Sequence, residues 1–405
     1  MRPHRRILHW PFLSVLVLAP AASAQPVLTG IDVLERDGYA VLTGKRIGLI
    51  TNHSGRNLRG QRTVDLLHKA PGVRLVRLFS PEHGLFGNLD EKIGHGTDPD
   101  TGLPVFSLYG EHRKPTQDML EGLDALVFDI QDAGARFYTY SATLGLAMEA
   151  AAEAGIDFVV LDRPNPITGL RPDGPLADAE FFGFTAYGPM PVAHGMTLGE
   201  LAVLYTTDWN PHRRLPRERL TVVRMEGWRR DMWFDRTGLV WVNPSPNLRN
   251  LNQTALYPAV CLLEAANVSV GRGTDEPFST FGAPWVRHRE LAAALNAEQL
   301  PGVRFYPVEF TPASSKFRGE KCFGVYIVLT DRDRLEPVRT GLVIAWHLRN
   351  LHGETFEFDR VLRLLHNRRV LEAVRAATTT ASFPLLWQDD LAAFEKHRRG
   401  ALLYP

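Results

Sequence analysis

The feature that most constrains the fold of this chain is a regular alternation of short apolar runs and helical segments between residues 44 and 166. The apolar runs predict buried strands at residues 46–51, 73–80, 104–108, 125–130 and 157–161. Apolar residues at helical spacing predict helices at residues 63–70 and 138–154. Strands that alternate with helices are typical of βαβ units and of a parallel sheet. The sequence therefore predicts an α/β fold whose N-terminal domain is a Rossmann-like doubly wound parallel sheet.

The rest of the chain has a different pattern. Residues 167–251 are rich in proline, glycine and tryptophan, and we expect them to wrap the first domain. A helix is predicted to begin at Leu256, followed by strands at 304–310 and 322–330 and helices at 337–351, 358–366 and 370–377. Mixed strands followed by helices indicate a smaller α+β C-terminal domain. We place the N-terminal domain at residues 25–251 and the C-terminal domain at 252–405.

The N-terminus carries the pattern of an export signal. Three arginines precede an apolar stretch at residues 7–20, and Ala22-Ser23-Ala24 forms a cleavage site. The apolar stretch is shorter than the roughly 20 residues that span a bilayer. We expect residues 1–24 to be a cleaved signal peptide, which makes the protein periplasmic or extracellular with no membrane span after cleavage.

Composition excludes several classes of protein. With 44% hydrophobic residues the chain is globular, and 46 basic against 45 acidic residues give no field that would attract nucleic acid. In an oxidising compartment the two cysteines, Cys261 and Cys322, could form a disulfide or remain buried thiols.

Common catalytic and cofactor motifs are missing. The sequence has no G-x-G-x-x-G after its first strand, no phosphate-binding loop, no H-E-x-x-H, no C-x-x-C and no G-x-S-x-G. These gaps argue against nicotinamide enzymes, nucleotide hydrolases, zinc proteases and serine esterases. The 14 histidines are scattered without ligand spacing. We therefore expect no cofactor and no metal.

Polar residues gather where the predicted strands end. In an open parallel sheet, ligands bind outside the carboxyl ends of the strands. The polar residues at those ends are Asn52, His53, Glu82, His83, Asp129, Asp132, Arg136, Tyr138, Tyr140 and Asn165. We expect the loops that carry them to meet in one cleft.

Glu82 is the strongest candidate for a catalytic residue. Pro81 and Gly84 bracket it in a tight turn, which fixes the direction of its carboxyl group at the mouth of the sheet. The alternative is a helix cap or a solvated turn. Asp129 and Asp132 could supply a second catalytic carboxylate, or could cap their loop.

Other side chains in these loops are candidates for substrate binding. Arg136 could bind an anionic ligand or pair with Asp132. Tyr138 and Tyr140 could hydrogen-bond a sugar or serve as packing residues at the start of a helix.

The densest polar run of the second domain lies at residues 267–278. Gly271 and Gly273 flank Arg272 and would let the backbone approach a ligand closely. Asn267 and Glu276 lie in the same run. We interpret these polar residues as substrate-binding candidates, with a plain flexible loop as the alternative.

At these residues the chain resembles a bacterial family, the secreted exo-acting β-N-acetylmuramidases of peptidoglycan recycling. The matching motifs run in order through nearly the whole mature chain, at residues 80–84 (SPEHG), 107–110 (SLYG), 128–132 (FDIQD), 136–140 (RFYTY), 161–166 (LDRPNP), 195–200 (GMTLGE), 244–247 (PSPN) and 269–274 (SVGRGT). One departure is the run Glu264-Ala265-Ala266-Asn267, where the family usually has Glu-Gly-Thr-Asn.

The resemblance implies release of N-acetylmuramic acid from the non-reducing ends of peptidoglycan fragments, without a cofactor. Its substrates would be disaccharides and muropeptides, bound in a cleft between the two domains. Glu82 would then be the general acid, and a carboxylate or the acetamido group of the substrate would act on the other face. Asp129 or Asp132 would be a base or would orient that acetamido group. Arg272 or Arg136 would bind the lactyl carboxylate of muramic acid.

Two alternative functions stay open on the sequence. A non-catalytic muropeptide-binding protein would capture the sugar without turnover. A β-N-acetylglucosaminidase would cleave substrates that lack the lactyl group.

Overall fold

The computed structural model describes residues 25–87 and 94–405. The predicted signal peptide, residues 1–24, lies outside the described residues. Within the described ranges no helix is both long enough and apolar enough to cross a membrane.

A mostly parallel sheet forms the centre of the N-terminal half. Its strands are β1 (Arg46–Thr51), β2 (Arg74–Ser80), β3 (Gly96–Thr97), β4 (Pro104–Ser107), β5 (Ala125–Asp129), β6 (Asp157–Leu161) and β7 (Leu220–Val223). Among the described residues the strand order is β3-β4-β2-β1-β5-β6-β7, and each neighbouring pair is parallel except β3 with β4. Without the short β3 this is the Rossmann order, in which the winding direction reverses between β1 and β5. The predicted fold class is confirmed.

Helices cover both faces of this sheet. Those of the N-terminal half are α1 (Gly30–Arg36), α2 (Thr63–Lys69), α3 (Gln117–Leu120), α4 (Tyr140–Ala154) and α5 (Leu198–Tyr205). Side chains alternate along β5 because successive residues of a strand point to opposite faces. Leu126 and Phe128 belong to the apolar core under α4 and α5, whereas Ala125 and Val127 belong to the core under α1 and α2.

The C-terminal half is built on a small antiparallel sheet. Its strands are β8 (Thr280–Ala283), β9 (Val303–Phe310) and β10 (Cys322–Leu329), in the order β8-β10-β9. Its helices are α6 (Leu251–Val260), α7 (His288–Ala297), α8 (Pro337–His352), α9 (Leu362–Leu365), α10 (Arg368–Ala376) and α11 (Gln388–Arg398). One continuous apolar core joins this half to the α4 side of the larger sheet. Cys261 and Cys322 are both buried and are not bonded to each other.

The structure corrects the sequence-based account of residues 167–251. This segment does more than wrap the first domain, because it supplies α5 and the edge strand β7 beside β6. Both elements are short, and every residue of α5 is buried, so neither shows the one-sided apolar pattern that predicts an element.

Two helix boundaries also differ from the prediction. The helix expected to start at Leu256 begins at Leu251, where the Asn250 side chain caps it by accepting a hydrogen bond from the Gln253 amide at 3.0 Å. The helix expected at residues 358–366 is a 3₁₀ turn followed by α9, which ends at Leu365 and is capped by His366 with a positive φ of 49°.

The end of the chain returns to the carboxyl end of β6. Tyr404 donates a hydrogen bond of 2.6 Å to Oδ2 of Asp162, and the Tyr404 hydroxyl accepts one of 3.0 Å from the Met225 amide. Thr197 donates a second hydroxyl hydrogen bond to Asp162 at 2.6 Å. Burial raises the pKa of Asp162 to about 6.

We predict that Tyr404→Phe lowers the free energy of unfolding by about 1–3 kcal/mol, because it removes a donor to a buried acceptor. A carboxyl group whose pKa is raised by folding contributes most below its unfolded pKa of about 4, and this contribution is lost as pH rises through the folded value. Since Tyr404 donates to the charged form of Asp162, the loss should be larger at pH 8 than at pH 5. Urea unfolding at the two pH values measures it, and an equal loss at both would contradict this account.

Candidate active site

A cavity of about 440 Å³ lies between the carboxyl edge of the larger sheet and the C-terminal half. Its N-terminal wall comes from the segments after β2, β4 and β5 and from the loops at residues 184–185 and 245. Its C-terminal wall comes from α6, the segment after it and α9. The N-terminal wall consists of Glu82, His83, Tyr109, Arg113, Phe137, Tyr138, Thr139, Phe184, Thr185 and Ser245. The C-terminal wall consists of Tyr257, Cys261, Glu264, Ala265, Arg272, Phe278, Arg363 and Leu364.

Two hydroxyl groups hold the carboxyl group of Glu82 at this cavity. Thr139 donates a hydrogen bond of 2.6 Å to Glu82 Oε2, and Tyr109 also hydrogen-bonds this carboxyl group. Burial, together with the hydrogen bond to Glu82, raises the pKa of Tyr109 to about 12. Tyr109 therefore keeps its proton at neutral pH and can donate a hydrogen bond to the carboxyl group of Glu82. Glu82 itself is half-buried, which leaves it accessible to a ligand in the cavity.

The turn that carries Glu82 is strained and is anchored from beneath. His83 has a φ of 69° and Gly84 has a φ of 73°, so two successive residues adopt the left-handed conformation. The buried Tyr140 hydroxyl lies 3.4 Å from the Glu82 carbonyl, donates to the Pro244 carbonyl at 3.0 Å, and accepts a hydrogen bond of 2.9 Å from Asn52. Tyr140 and Asn52 thus act below the cavity and support its floor.

The C-terminal wall carries an ion pair between a carboxylate and a guanidinium group. Glu264 Oε1 lies 2.8 Å from Nε of Arg272, and the Cys261 thiol donates to Glu264 Oε2 at 3.1 Å. The Arg272 guanidinium lies 5.8 Å from the centre of the Phe278 ring. Burial raises the pKa of Cys261 well above its usual value, so the sulfur remains a protonated donor. Glu264 therefore fixes Arg272 at the cavity.

Asp132 lies outside the lining of the cavity and is 4% exposed. Its Oδ2 accepts hydrogen bonds from the Gly134 amide at 2.7 Å and from His194 Nε2 at 3.1 Å. The Met196 amide donates to His194 Nδ1, so the ring proton of neutral His194 is on Nε2. Within the described chain Oδ1 of Asp132 has no hydrogen-bond partner. Its carboxylate lies among the buried tyrosines of the site. Burial raises the pKa of Tyr138 well above its usual value, and the nearby Asp132 carboxylate adds to this rise.

The carboxylate of Asp129 is bound by other side chains of the protein interior. It is fully buried, and its carboxylate is held by the guanidinium of Arg163, with Nη2 at 2.9 Å from Oδ2, and by the hydroxyl of Thr63. Both oxygens are occupied, and the side chain does not line the cavity.

Several other candidates are also placed away from the cavity, and each has structural partners. Asn165 bonds the Met196 carbonyl and the Ile167 amide, Asn267 bonds the backbone of Thr355 and Glu357, and His53 bonds the Asn243 carbonyl. Glu276 is half-buried and does not line the cavity. Of the sequence-predicted residues, the structure brings together at the cavity Glu82, His83, Tyr138 and Arg272.

Sequence reasoning missed much of the lining. Tyr109 could have been identified, because it lies in the family motif at residues 107–110. Glu264 is the first residue of the run that departs from the family pattern. Phe184 lies in a segment without a local pattern, and Arg363 lies in a predicted helix that nothing in the sequence assigns to the site. They reach the cavity only through the packing of distant segments against one another.

Among the described residues, no group of three or more His, Cys, Asp or Glu side chains is arranged to hold a metal ion.

Arg136 is placed in the protein interior, 1% exposed. Its guanidinium donates to the carbonyls of Pro175 at 3.0 Å and Met190 at 2.5 Å, and to those of Leu364 at 3.0 Å and Leu365 at 2.7 Å. Burial lowers its pKa. All four acceptors are backbone carbonyls, and two of them belong to the C-terminal half, so Arg136 joins the two halves beside the cavity.

We predict that Arg136→Met lowers the free energy of unfolding by about 3–5 kcal/mol, because it leaves buried carbonyls without donors. Guanidinium chloride unfolding measures the change. Arg399→Met, at an exposed arginine that does not line the cavity, is the matched control. A stable Arg136→Met protein would contradict the structural role and return Arg136 to the candidates for ligand binding.

Comparisons with known proteins agree over nearly the whole chain. The N-terminal model of the exo-beta-N-acetylmuramidase NamZ family matches residues 47–252, and the C-terminal model matches residues 255–404. The peptidoglycan beta-N-acetylmuramidase NamZ of Bacillus subtilis (strain 168) is 43% identical over 400 residues, which cover 95% of each protein.

Two crystal structures of DUF1343 family proteins from Bacteroides fragilis NCTC 9343 have the same fold. One has a TM-score of 0.87 and 35% identity, and the other has a TM-score of 0.75 and 30% identity. Each match covers 94% of this chain and 99% of the other chain.

Proposed function

This chain belongs to the exo-beta-N-acetylmuramidase family NamZ, and we propose on that basis that it is a glycoside hydrolase that releases N-acetylmuramic acid from the non-reducing ends of peptidoglycan fragments. The resemblance predicted from the sequence motifs is thereby confirmed. The single observation that carries the assignment of the active site is the Glu82 carboxyl group, held by Tyr109 and Thr139 at the cavity between the two halves.

Glu82 is the general acid of the proposed reaction. Glycoside hydrolysis needs a proton donor at the leaving oxygen as positive charge develops on the sugar ring. Glu82 is half-buried and faces the cavity, and Thr139 and Tyr109 fix its direction. A carboxyl group positioned in this way contributes about 10²–10⁴-fold to the rate of proton transfer.

The opposite face of the sugar needs a carboxylate or the acetamido group of the substrate. Glu264 lines the cavity, but its two oxygens are taken by Arg272 and Cys261. We therefore propose that the role of Glu264 is to hold Arg272 in place. Asp132 does not line the cavity, and its Oδ2 is held by the Gly134 amide and His194, which favours an orienting role over direct attack.

Arg272 binds the lactyl carboxylate in this proposal. Muramic acid differs from glucosamine by its lactyl ether, which carries a carboxylate when the peptide stem is absent. A guanidinium fixed by Glu264 and stacked on Phe278 is suited to bind a carboxylate, since less side-chain freedom is lost on binding.

Export is part of the proposal. The basic start, apolar stretch and Ala22-Ser23-Ala24 site of residues 1–24 favour secretion to the periplasm or the medium, where peptidoglycan fragments arise.

We predict that Glu82→Gln lowers kcat for hydrolysis of the disaccharide MurNAc–GlcNAc by about 10²–10⁴-fold. The measurement is release of free N-acetylmuramic acid by purified residues 25–405. Glu218→Gln, the same change at an exposed glutamate that does not line the cavity, should match the wild type. If the wild type binds the disaccharide without turnover, the protein is a binding protein. If Glu82→Gln keeps full activity, the acid is another residue.

We predict that Arg272→Ala reduces the preference for a chromogenic muramyl substrate over its glucosaminyl analogue by at least about tenfold, because a charge-assisted hydrogen bond to carboxylate is lost. Arg272→Lys keeps the charge without the bidentate geometry and should fall between the two enzymes. The ratio of the two kcat/KM values reports the effect. An unchanged ratio in Arg272→Ala would remove the lactyl-binding role.

A further inference from the structure

Two arginine side chains that line the cavity have no role in the proposed reaction. Arg113 and Arg363 both line the cavity and are solvent-exposed. Neither guanidinium makes a hydrogen bond or an ion pair with any other residue of the described ranges, whereas Arg272 is paired with Glu264. Two guanidinium groups are therefore available for a ligand in addition to the one that we assign to the lactyl group.

The position of Arg113 relative to Glu82 follows from a chain of contacts. Tyr109 hydrogen-bonds Glu82, and its ring stacks on Phe184 with the ring centres 6.2 Å apart. The guanidinium carbon of Arg113 lies 4.5 Å from the centre of the Phe184 ring. Tyr109 and Phe184 are half-buried and Arg113 is exposed, so this path runs from the acid outward to solvent.

Arg363 belongs to the wall contributed by the other half of the protein. It lies on α9, next to Leu364, whose carbonyl is held by Arg136. The end of α9 contacts the loop that carries Phe184, since His366 Nε2 lies 3.5 Å from the Thr185 hydroxyl. The outer part of the cavity thus has one arginine from each half of the chain, and we call Arg113 and Arg363 the rim arginines.

The chemistry of a peptide-free glycan strand fits these two cations. In such a strand muramic acid alternates with glucosamine, and every muramic acid carries a lactyl carboxylate. If the terminal sugar is cleaved at Glu82, the rest of the strand leaves the cavity toward solvent, and its next carboxylate is on the third sugar. An arginine guanidinium binds a carboxylate through two parallel hydrogen bonds.

We propose that the rim arginines form a subsite for the lactyl carboxylate of the third sugar, so that peptide-free strands of four or more sugars are better substrates than the disaccharide. This inference rests on the proposed function. It adds a recognition site for a part of the substrate remote from the bond that breaks.

The test compares three peptide-free substrates by kcat/KM. They are MurNAc–GlcNAc, the tetrasaccharide (MurNAc–GlcNAc)₂, and the tetrasaccharide whose third sugar is N-acetylglucosamine. The proteins are the wild type, Arg113→Gln, Arg363→Gln, their double variant, and Arg399→Gln as the matched control. A disaccharide with a peptide stem is included because its carboxylates are a second source of the same chemistry.

The wild type should prefer (MurNAc–GlcNAc)₂ over the disaccharide, and replacing the third sugar should remove the preference. Each rim variant should reduce the ratio of the two kcat/KM values by about three- to fivefold, as suits a solvent-exposed ion pair. Raising the salt concentration to 0.5 M should shrink the ratio in the wild type and not in the double variant, because exposed charges are screened. Arg399→Gln should keep the wild-type ratio.

Three outcomes would overturn the subsite. The first is a wild type with no preference for the tetrasaccharide, and the second is a preference that survives loss of the lactyl group on the third sugar. The third is that the rim variants lower turnover of the stem-bearing disaccharide but leave the ratio of kcat/KM for tetrasaccharide over disaccharide unchanged. The first two leave hydrolysis of the disaccharide in place, so the proposed function stands without the subsite. Absence of any disaccharide hydrolysis would refute the proposed function itself.

Discussion

The cavity of this protein depends on one buried cation. Arg136 begins the loop that carries Tyr138 and Thr139, and its guanidinium is held by four backbone carbonyls, two of which come from the C-terminal half. Burying a cation costs free energy unless hydrogen bonds compensate for the lost water, so these four contacts favour one arrangement of the two halves. The same contacts fix Leu364 at the cavity wall, and the shape of the cavity therefore depends on a residue that does not line it.

The fold could be predicted to a large extent because its signals are local. The five strands predicted in the N-terminal half are present with boundaries shifted by at most one residue, since a buried parallel strand is a short apolar run that needs no distant information. The edge strand β7 and helix α5 were missed for the opposite reason. Each is stabilised by its neighbours, β6 in the case of β7, and neither carries a pattern of its own.

The site was predicted only in part. Glu82 could be placed because a parallel sheet brings the ends of its strands to one edge, and its turn is bracketed by Pro81 and Gly84. The sequence does not say which polar residues at that edge face the ligand and which support the backbone. Asp129 and Arg136 have the residue types of a binding site, but the partners that occupy them, Arg163 for one and four carbonyls for the other, are distant along the chain.

The C-terminal residues supply hydrogen-bond donors to buried carboxylates of the N-terminal half. Asp162, at the carboxyl edge of the larger sheet, obtains one of its donors from Tyr404, the penultimate residue, and Glu200 of α5 accepts from the Leu403 amide. Two buried carboxylates of the N-terminal half thus depend on residues 403–404 for part of their hydrogen bonding. The Pro405 carbonyl accepts a hydrogen bond from the Arg230 amide, so residues 403–405 are held at the carboxyl edge of the larger sheet. Their removal would leave the buried Asp162 and Glu200 each short of a donor.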